Sequence, residues 1–293
     1  MLMKGSCLKM NELVYENENL KQTQKCLLKI MDVIHEICVK NNISYYLLGG
    51  SALGAVRHKG FIPWDMDIDI GMPRKEYEKF AEVCRKGLPN SLEYMDFKST
   101  NEYYMPHAMV VMKNAAVYLS PEYYRSAKKE YVLVDIFPLD NVPDSAEEQR
   151  KQKVELKRLS KIQSREECIL YKRNSLFEIA AKKVIQSGLK LIYPIRKVNV
   201  DQDRVMRRFD GHETQCICSM ASQYSYEKQC MDIAIYGKPT LMDFSGRKYY
   251  VPEKVEAYLT KLYGKNYMSI PPVEKRYRPN EYIVKFECVE SGD

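Results

Sequence analysis

The sequence predicts an α+β fold, in which helices flank a mixed β-sheet, with a helical insertion and a C-terminal subdomain. In the first half of the chain, stretches with a helical apolar period alternate with short apolar runs typical of buried strands. A basic, helical pattern follows, and strand-like segments return afterwards. We therefore expect a core over residues 1–144, a basic helical segment over 145–215, and a C-terminal part, 216–293, that completes the core.

The first half supplies most of the predicted sheet. Apolar residues at steps of three and four predict a helix over 19–41, which Asn41-Asn42 ends. Gly49-Gly50 stops the next strand, and Ser51 is placed to cap a short helix. The predicted strands are 43–48, 67–72, 92–97, 108–119 and 131–137, the last ending at Pro138, and the helices after the first are 51–58 and 74–88.

The second half begins with a capping box, Ser145 with Glu148, which predicts the start of a helix. The helical pattern then continues to about residue 209. Beyond it we expect a short strand over 216–220 and a helix over 252–263.

Composition excludes several classes of protein. The 293 residues are 45% hydrophobic and 29% charged, as in an ordinary globular protein. No run approaches the roughly 18 apolar residues of a transmembrane helix, and the first ten residues hold no signal-peptide core. Nine scattered cysteines without a CxxC pair fit free thiols in the cytoplasm.

The net charge of +7 is concentrated in one segment. Residues 145–210 contain 17 Lys and Arg against 9 Asp and Glu. Such a block either attracts phosphorylated ligands, polyanions or anionic lipid, or forms a solvated helical face. The stretch 176–198 interleaves apolar and basic positions, which fits a face packed on the core or a peripheral contact with a membrane.

Paired carboxylates carry the chemistry that the sequence suggests. Asp67 and Asp69 are two apart in a predicted strand, so their side chains should share one face. Neighbouring carboxylates repel unless a cation lies between them, and hard oxygen ligands suit Mg²⁺ or Mn²⁺. Asp65 has the same parity and would either join the metal site or orient the preceding loop.

A third carboxylate would complete this site. Asp135 lies alone in the apolar strand 131–137, where a charge is costly unless it is paired or bound to metal. We expect Asp67, Asp69 and Asp135 to form the catalytic and metal-binding set. Asp140, just past Pro138, is the competing third member.

Anion-binding groups precede the carboxylates. The turn Gly49-Gly50-Ser51 lies between a predicted strand and a predicted helix, where backbone N–H groups and a hydroxyl can contact phosphate. Arg57 can clamp phosphate oxygens, or it can pair with Asp65 or Asp67. His58 suits phosphate or substrate positioning, although its role stays open.

These motifs resemble those of a known family. Gly49-Gly50-Ser51 followed by Asp67-Ile68-Asp69-Ile70 is similar to the signature of the DNA polymerase beta-like nucleotidyltransferase superfamily. The run 53–65, the block 134–140 and the C-terminal stretch 249–276 resemble the LicD family, which includes bacterial phosphocholine transferases and is related to the fukutin group. The segment 145–215 carries no such motif.

The resemblance implies transfer of a phosphorylated alcohol from a CDP-activated donor, such as CDP-choline, to a sugar hydroxyl, with release of CMP. Asp67 and Asp69 would hold the metal, and Asp135 would complete the site and take the acceptor proton. Gly50, Ser51 and Arg57 would hold the donor phosphates, with the help of Lys275 and Arg276. The acceptor would be a cell-surface glycan or its lipid-linked precursor, modified in the cytoplasm or at the inner face of the membrane.

One position departs from the family pattern. Where the family commonly has three consecutive Asp residues after Trp, this chain has Met66 in the middle. Its parity points it away from Asp67 and Asp69, so we expect the metal site to survive while the neighbouring pocket differs. Two rival functions remain: transfer of NMP itself from an NTP to a small molecule or nucleic acid, and binding without catalysis. We expect no nucleic-acid partner.

Overall fold

The computed structural model describes residues 18–100, 103–119, 128–163, 188, 193–272, 276 and 283–288. Its strands are β1 (Tyr46–Leu47), β2 (Asp69–Pro73), β3 (Leu92–Met95), β4 (Ala108–Leu119), β5 (Lys128–Val142), β6 (Cys216–Cys218), β7 (Cys230–Asp232), β8 (Thr240–Phe244), β9 (Arg247–Val251) and β10 (Ile283–Cys288). Its α-helices are α1 (Glu18–Lys40), α2 (Gly49–His58), α3 (Arg74–Lys86), α4 (Ala146–Gln163), α5 (Ile195–Met206), α6 (Tyr226–Gln229), α7 (Ile233–Tyr236) and α8 (Val255–Tyr263).

A mixed sheet forms the centre of the described part of the chain. Its main path runs β1-β2-β5-β4-β10, with β3 also on β4, and with β6 joined to β5 and β7. The β2–β5 pair is parallel, whereas the other pairs of this sheet are antiparallel. The predicted α+β class, a mixed sheet flanked by helices, is therefore confirmed.

Helix α1 covers one face of this sheet. Its apolar residues recur at helical spacing, and Leu27, Ile30, Met31 and Ile34 are almost fully buried. The helix packs on β4, β5 and β10. Burying a Leu or Ile side chain contributes about 1.5–3 kcal/mol, so this stripe explains why residues 18–40 form a long helix.

Strand β5 is longer than the sequence indicates. The expectation that it ends at Pro138 is wrong, because the strand continues to Val142. Its pairing with β4 stops at Ile136 and its pairing with β6 starts at Asp140. Proline 138 lies in the gap between these two partners, where the missing N–H removes no hydrogen bond from that side of the sheet.

The segment around the Gly-Gly-Ser motif also differs from expectation. Strand β1 is only two residues long, and α2 begins at Gly49 rather than at Ser51. Strand β2 begins at Asp69, two residues later than predicted. The motif is thus the first turn of a helix and not a separate turn.

The described part of the basic segment forms a helical pair beside the sheet. Helices α4 and α5 contact each other around a small second core of Leu156, Leu159, Val198, Val205 and Met206. The Glu148 N–H points to Ser145 Oγ at 3.5 Å, as the capping box predicts. Most of the stretch 176–198 lies outside the described residues.

The last third of the chain returns to the sheet. The segment before α8 forms a hairpin, β8–β9, whose turn at Ser245-Gly246 has positive φ at both residues (50° and 78°). Helix α8 packs on α2, and β10 pairs with β4. In the described part of the chain, no helix has both the length and the apolar character that crossing a bilayer requires.

A buried ion pair joins three of these elements. Arg74, the first residue of α3, donates from Nε to Asp140 Oδ1 (2.6 Å) and from Nη2 to Asp140 Oδ2 (2.7 Å). Its Nη1 donates to Asp203 Oδ1 on α5 (2.9 Å). Asp140 is 1% exposed, so the guanidinium is what makes its burial tolerable.

Replacing Arg74 with Met should lower the free energy of unfolding by about 3–5 kcal/mol, because Asp140 would remain as a buried, unpaired carboxylate. Urea unfolding measures this change. The double variant Arg74→Met/Asp140→Leu should recover part of the loss. Lys151→Met, which breaks an exposed pair with Glu147, should change stability by less than about 1 kcal/mol. An Arg74→Met protein as stable as wild type would contradict this account.

Candidate active site

Two aspartates lie side by side at the centre of the sheet. Asp69 on β2 and Asp135 on β5 are direct partners in the parallel register. The Asp135 N–H donates to the carbonyl of Ile68 at 3.0 Å, which fixes the two strands at this point. Paired residues of neighbouring strands project to the same face of the sheet. The Asp69 and Asp135 carboxylates therefore lie side by side on that face.

Asp65 and Asp67 join them from the loop before β2. Asp67 precedes β2, so the argument from alternating side chains in a strand was wrong for this residue. Its carboxylate is nevertheless close enough to Asp69 for its charge to raise the pKa of Asp69. The Asp65 and Asp67 side chains share a hydrogen bond. The cluster therefore has four carboxylates, and Asp65 belongs to it, one of the two roles that the sequence left open.

Burial and mutual repulsion perturb these acids. Burial is the largest cause that raises the pKa of Asp65, Asp67 and Asp69 above the ordinary carboxyl range. The charge of Asp67 raises the pKa of Asp65 and Asp69 further. The Asp67 side chain is exposed and lines a cavity that opens to solvent. Charges held this closely favour a proton or a cation between them.

Helix α2 packs its first turn against the carboxylates. Gly49 has a φ of +51°, and its N–H donates to the Tyr258 hydroxyl at 3.0 Å. A methyl group at Gly50 would lie 2.8 Å from Asp65 Oδ2, so glycine is what lets this carboxylate approach the helix. The Ser51 hydroxyl accepts from the Asp69 N–H at 2.9 Å and thereby ties the helix to β2.

The other predicted phosphate ligands lie elsewhere. Arg57 donates from Nη1 to the carbonyls of Tyr267 (3.0 Å) and Ser269 (3.2 Å) at the far end of α2. The Arg276 guanidinium lies 4.8 Å above the Trp64 ring, and its Nε donates to the Pro271 carbonyl. Both arginines thus hold the segment after α8.

His58 lies in the same region. Its ring meets the Trp64 ring edge-on at a centroid distance of 6.3 Å. Burial, and then the charge of Arg57, lower the pKa of His58. Among the described lining residues of the carboxylate cavity, His58, Arg57 and Arg276 are absent. Lys275 lies outside the described residues.

A cavity of about 910 Å³ opens from the carboxylates. The four aspartates and Gly50 line it, as do the charged residues Lys129 and Glu130, and most of the other lining side chains are aromatic, thioether or aliphatic. These include Met66, Met95, Met105, Met109, Val111, Val117, Leu119, Tyr103, Tyr104, Tyr131 and Tyr224. The volume suits a ligand larger than a single sugar.

Met66 is one of these lining residues. It lies before β2 begins, so strand parity does not set the direction of its side chain. The departure from the family pattern therefore lies directly in the cavity wall.

Three site residues were not identified from the sequence. His107 Nε2 lies 2.9 Å from Asp135 Oδ1. The hydroxyls of Tyr224 and Tyr263 are 2.9 Å apart, and burial raises the pKa of both. Each comes from a segment distant in sequence, so only the register of β4 on β5 and the docking of α8 bring them here.

Asp140, the competing candidate for the third carboxylate, is not among the described lining residues of the cavity. It forms a buried ion pair with Arg74.

The donor set suits a hard divalent cation, since carboxylate oxygens are the ligands that Mg²⁺ and Mn²⁺ prefer. Within the described residues, however, no three His, Cys, Asp or Glu side chains already stand in an arrangement that holds a metal ion. The four carboxylates would therefore have to adjust to hold a cation.

The fold and the carboxylate cluster define a nucleotidyltransferase-like domain. Residues 42–154 match the family model described as LicD/FKTN/FKRP, nucleotidyltransferase domain, so the resemblance to the LicD family is confirmed.

Individual relatives agree with this assignment. The chain is 29% identical to the lipopolysaccharide cholinephosphotransferase LicD of Haemophilus influenzae over 269 residues, which cover 87% of this chain and 93% of that protein. A stretch of 30 residues, 10% of this chain and 6% of each relative, is 57% identical to the ribitol 5-phosphate transferase FKRP of Mus musculus and of Homo sapiens.

Alanine at Gly50 should leave stability within about 1 kcal/mol of wild type, because only the end of the Asp65 side chain must move. The same change should weaken Mn²⁺ binding, measured by calorimetric titration, because Asp65 is displaced. Gly246→Ala, strained by its positive φ but with open space around it, should destabilise the protein without changing Mn²⁺ affinity. Unchanged Mn²⁺ affinity in Gly50→Ala would count against a cation at this cluster.

Proposed function

We propose that this protein transfers a phosphorylated alcohol from a CDP-activated donor to a sugar hydroxyl of a cell-surface glycan or its precursor. The observation that carries the proposal is the register of Asp69 against Asp135, which pairs two of the four aspartates that line one cavity, in a domain that matches the LicD family model. The names of the relatives support it, since one is a cholinephosphotransferase and the others are ribitol 5-phosphate transferases.

In the proposed reaction, the acceptor oxygen forms a bond to the phosphorus that carries the alcohol. The bond from that phosphorus to the bridging oxygen of the diphosphate breaks, and CMP leaves with the electron pair. The hydroxyl proton passes to Asp135, one of the carboxylates that line the cavity. Atoms and charge balance without a further reactant.

Asp65, Asp67, Asp69 and Asp135 would hold Mg²⁺ or Mn²⁺. When bound, the cation offsets the negative charge that develops on the transferred phosphoryl group and on CMP. The first turn of α2 would direct the backbone N–H groups of Gly50 and Ser51 at a donor phosphate, and Gly49, whose N–H donates to the Tyr258 hydroxyl, would let the backbone approach it. Phosphate contacts from Arg57, His58, Lys275 and Arg276 stay predictions, and the geometry of Arg57 and Arg276 favours their holding the segment 267–276.

The cytoplasm is the proposed location, at or near the inner face of the membrane where lipid-linked glycan precursors are presented. Free thiols at the described cysteines fit this compartment. The described basic side chains of α4 and α5 would face such a surface. Contact with a membrane is a proposal that rests on charge alone.

Incubation with CDP-choline, CDP-ribitol, CDP-glycerol and CDP-ethanolamine, in the presence of Mg²⁺ and a glycan acceptor, should release CMP from at least one donor. Asp67→Asn and Asp69→Asn should each lower kcat by about 10²–10³-fold, as when one group that stabilises transition-state charge is removed. The control Asp243→Asn changes an exposed carboxylate on β8 and should be fully active. Full activity of Asp67→Asn, or pyrophosphate release from CTP in place of CMP release, would favour the rival functions.

Removal of divalent cations by EDTA should abolish CMP release, because the clustered carboxylates would then repel the donor phosphates. Addition of Mg²⁺ or Mn²⁺ should restore it, whereas Ca²⁺ should restore less, since its larger size and looser coordination fit the cluster less well. Turnover that persists in EDTA would exclude the metal-dependent mechanism.

A further inference from the structure

A buried hydrogen-bond chain leads from the helical pair to Asp135. Asn199 on α5, which is 0% exposed, donates from Nδ2 to the Tyr103 carbonyl at 2.7 Å. The Tyr103 hydroxyl donates to the His107 carbonyl at 2.8 Å. His107 Nε2 then meets Asp135 Oδ1 at 2.9 Å. This series of hydrogen bonds therefore joins helix α5, which lies outside the matched family domain, to a carboxylate of the site.

The sheet register explains why His107 reaches Asp135. Ala108 is paired with Ile136, so in an antiparallel pair the preceding residue, His107, lies beside Phe137. The two rings are indeed 4.3 Å apart. Phe137 and Asp135 project from the same face of β5, so the imidazole crosses diagonally to the carboxylate.

The surroundings of the ring select one tautomer. Asp135 accepts a hydrogen bond, so the Nε2 atom carries the proton and donates. The other ring nitrogen, Nδ1, is buried and has no hydrogen-bond partner among the described residues. A second proton there would be a buried donor without an acceptor, which costs more than an unpaired lone pair. The arrangement that fits these contacts has the donated proton on Nε2 and a lone pair on Nδ1.

We propose that His107 is a positioning residue that holds Oδ1 of Asp135 and leaves Oδ2 directed to the cavity. The role of Asp135 in the reaction rests on the function proposed above. The hydrogen bond between His107 and Asp135 does not depend on that function. With Oδ1 fixed, the remaining oxygen has one orientation in which to bind a cation or accept the hydroxyl proton. Without the donor, the carboxylate of Asp135, which is 21% exposed, can rotate.

Two substitutions at His107 separate positioning from packing. His107→Gln keeps an N–H donor at the place of Nε2, whereas His107→Leu keeps the bulk and removes the donor. We expect His107→Leu to weaken Mn²⁺ binding and to lower kcat by about 10–100-fold, with little change in the KM for the donor, as for other groups that orient metal ligands. His107→Gln should lie within about threefold of wild type in both quantities.

His35 offers the matched control. Its Nδ1 is 2.8 Å from the Tyr45 hydroxyl, and it packs against Tyr249 and Tyr250, away from the cavity. His35→Leu should lower the melting temperature without changing Mn²⁺ affinity or kcat. If His107→Leu does not fold, Tyr103→Phe, which removes only the hydroxyl that donates to His107, should still lower Mn²⁺ affinity by a smaller factor.

The contact itself can be tested without any substrate. With only four histidines in the chain, nitrogen NMR of a ¹⁵N-histidine sample should assign His107 as the tautomer protonated on Nε2. Asp135→Ala should shift that nitrogen and accelerate exchange of its proton, and Asp243→Asn should do neither.

The outcomes separate the two proposals. If no CDP-alcohol is turned over, the proposed function fails, and the NMR signal and Mn²⁺ affinity still decide the role of His107. An Nδ1-protonated ring that ignores Asp135→Ala would overturn the inference. So would a folded His107→Leu protein with wild-type Mn²⁺ affinity and kcat.

Discussion

The pairing of β2 with β5 is the constraint on which the site depends. Parallel register places Asp69 beside Asp135, and backbone hydrogen bonds hold them there although like charges repel. The rest of the fold supports this arrangement. Helix α1 buries the strands from one side, Ser51 fixes β2 through the Asp69 N–H, and Gly50 admits the Asp65 carboxylate. Folding energy from the apolar core thus holds an electrostatically unfavourable cluster in place.

Many elements of the fold were predictable, because the period of apolar residues and the residues that begin or end a helix or strand are local signals. The stripe of apolar residues in α1, the apolar run of β4 and the capping box at Ser145 identify their elements directly. Asp135 was identified as a carboxylate in an apolar strand that needs a partner, and it lies beside Asp69. In each case the signal lies within a few residues of the feature that it predicts.

The rest depends on contacts between distant segments. Strand parity failed for Asp67 and Met66 because β2 begins only at Asp69, and nothing in the alternation of residues marks that start. Pro138 appeared to end β5, but whether a missing N–H matters depends on which strand lies alongside. Arg57 was expected at phosphate, and only the fold shows that carbonyls of the segment after α8 are within its reach. His107 carries no local signal at all.

These contacts also bear on what the helical segment does. A basic helical pair could be an accessory surface that contributes charge and nothing else. The buried amide of Asn199 argues for a closer relation, because its hydrogen bond supports the Tyr103 backbone, and Tyr103 both lines the cavity and supports His107. Arg74 makes a second connection, since it binds Asp140 of β5 and Asp203 of α5 at once. A segment that shares two buried polar contacts with β5 and its neighbours cannot shift without moving the wall of the site, so its sequence is constrained by the chemistry as well as by packing.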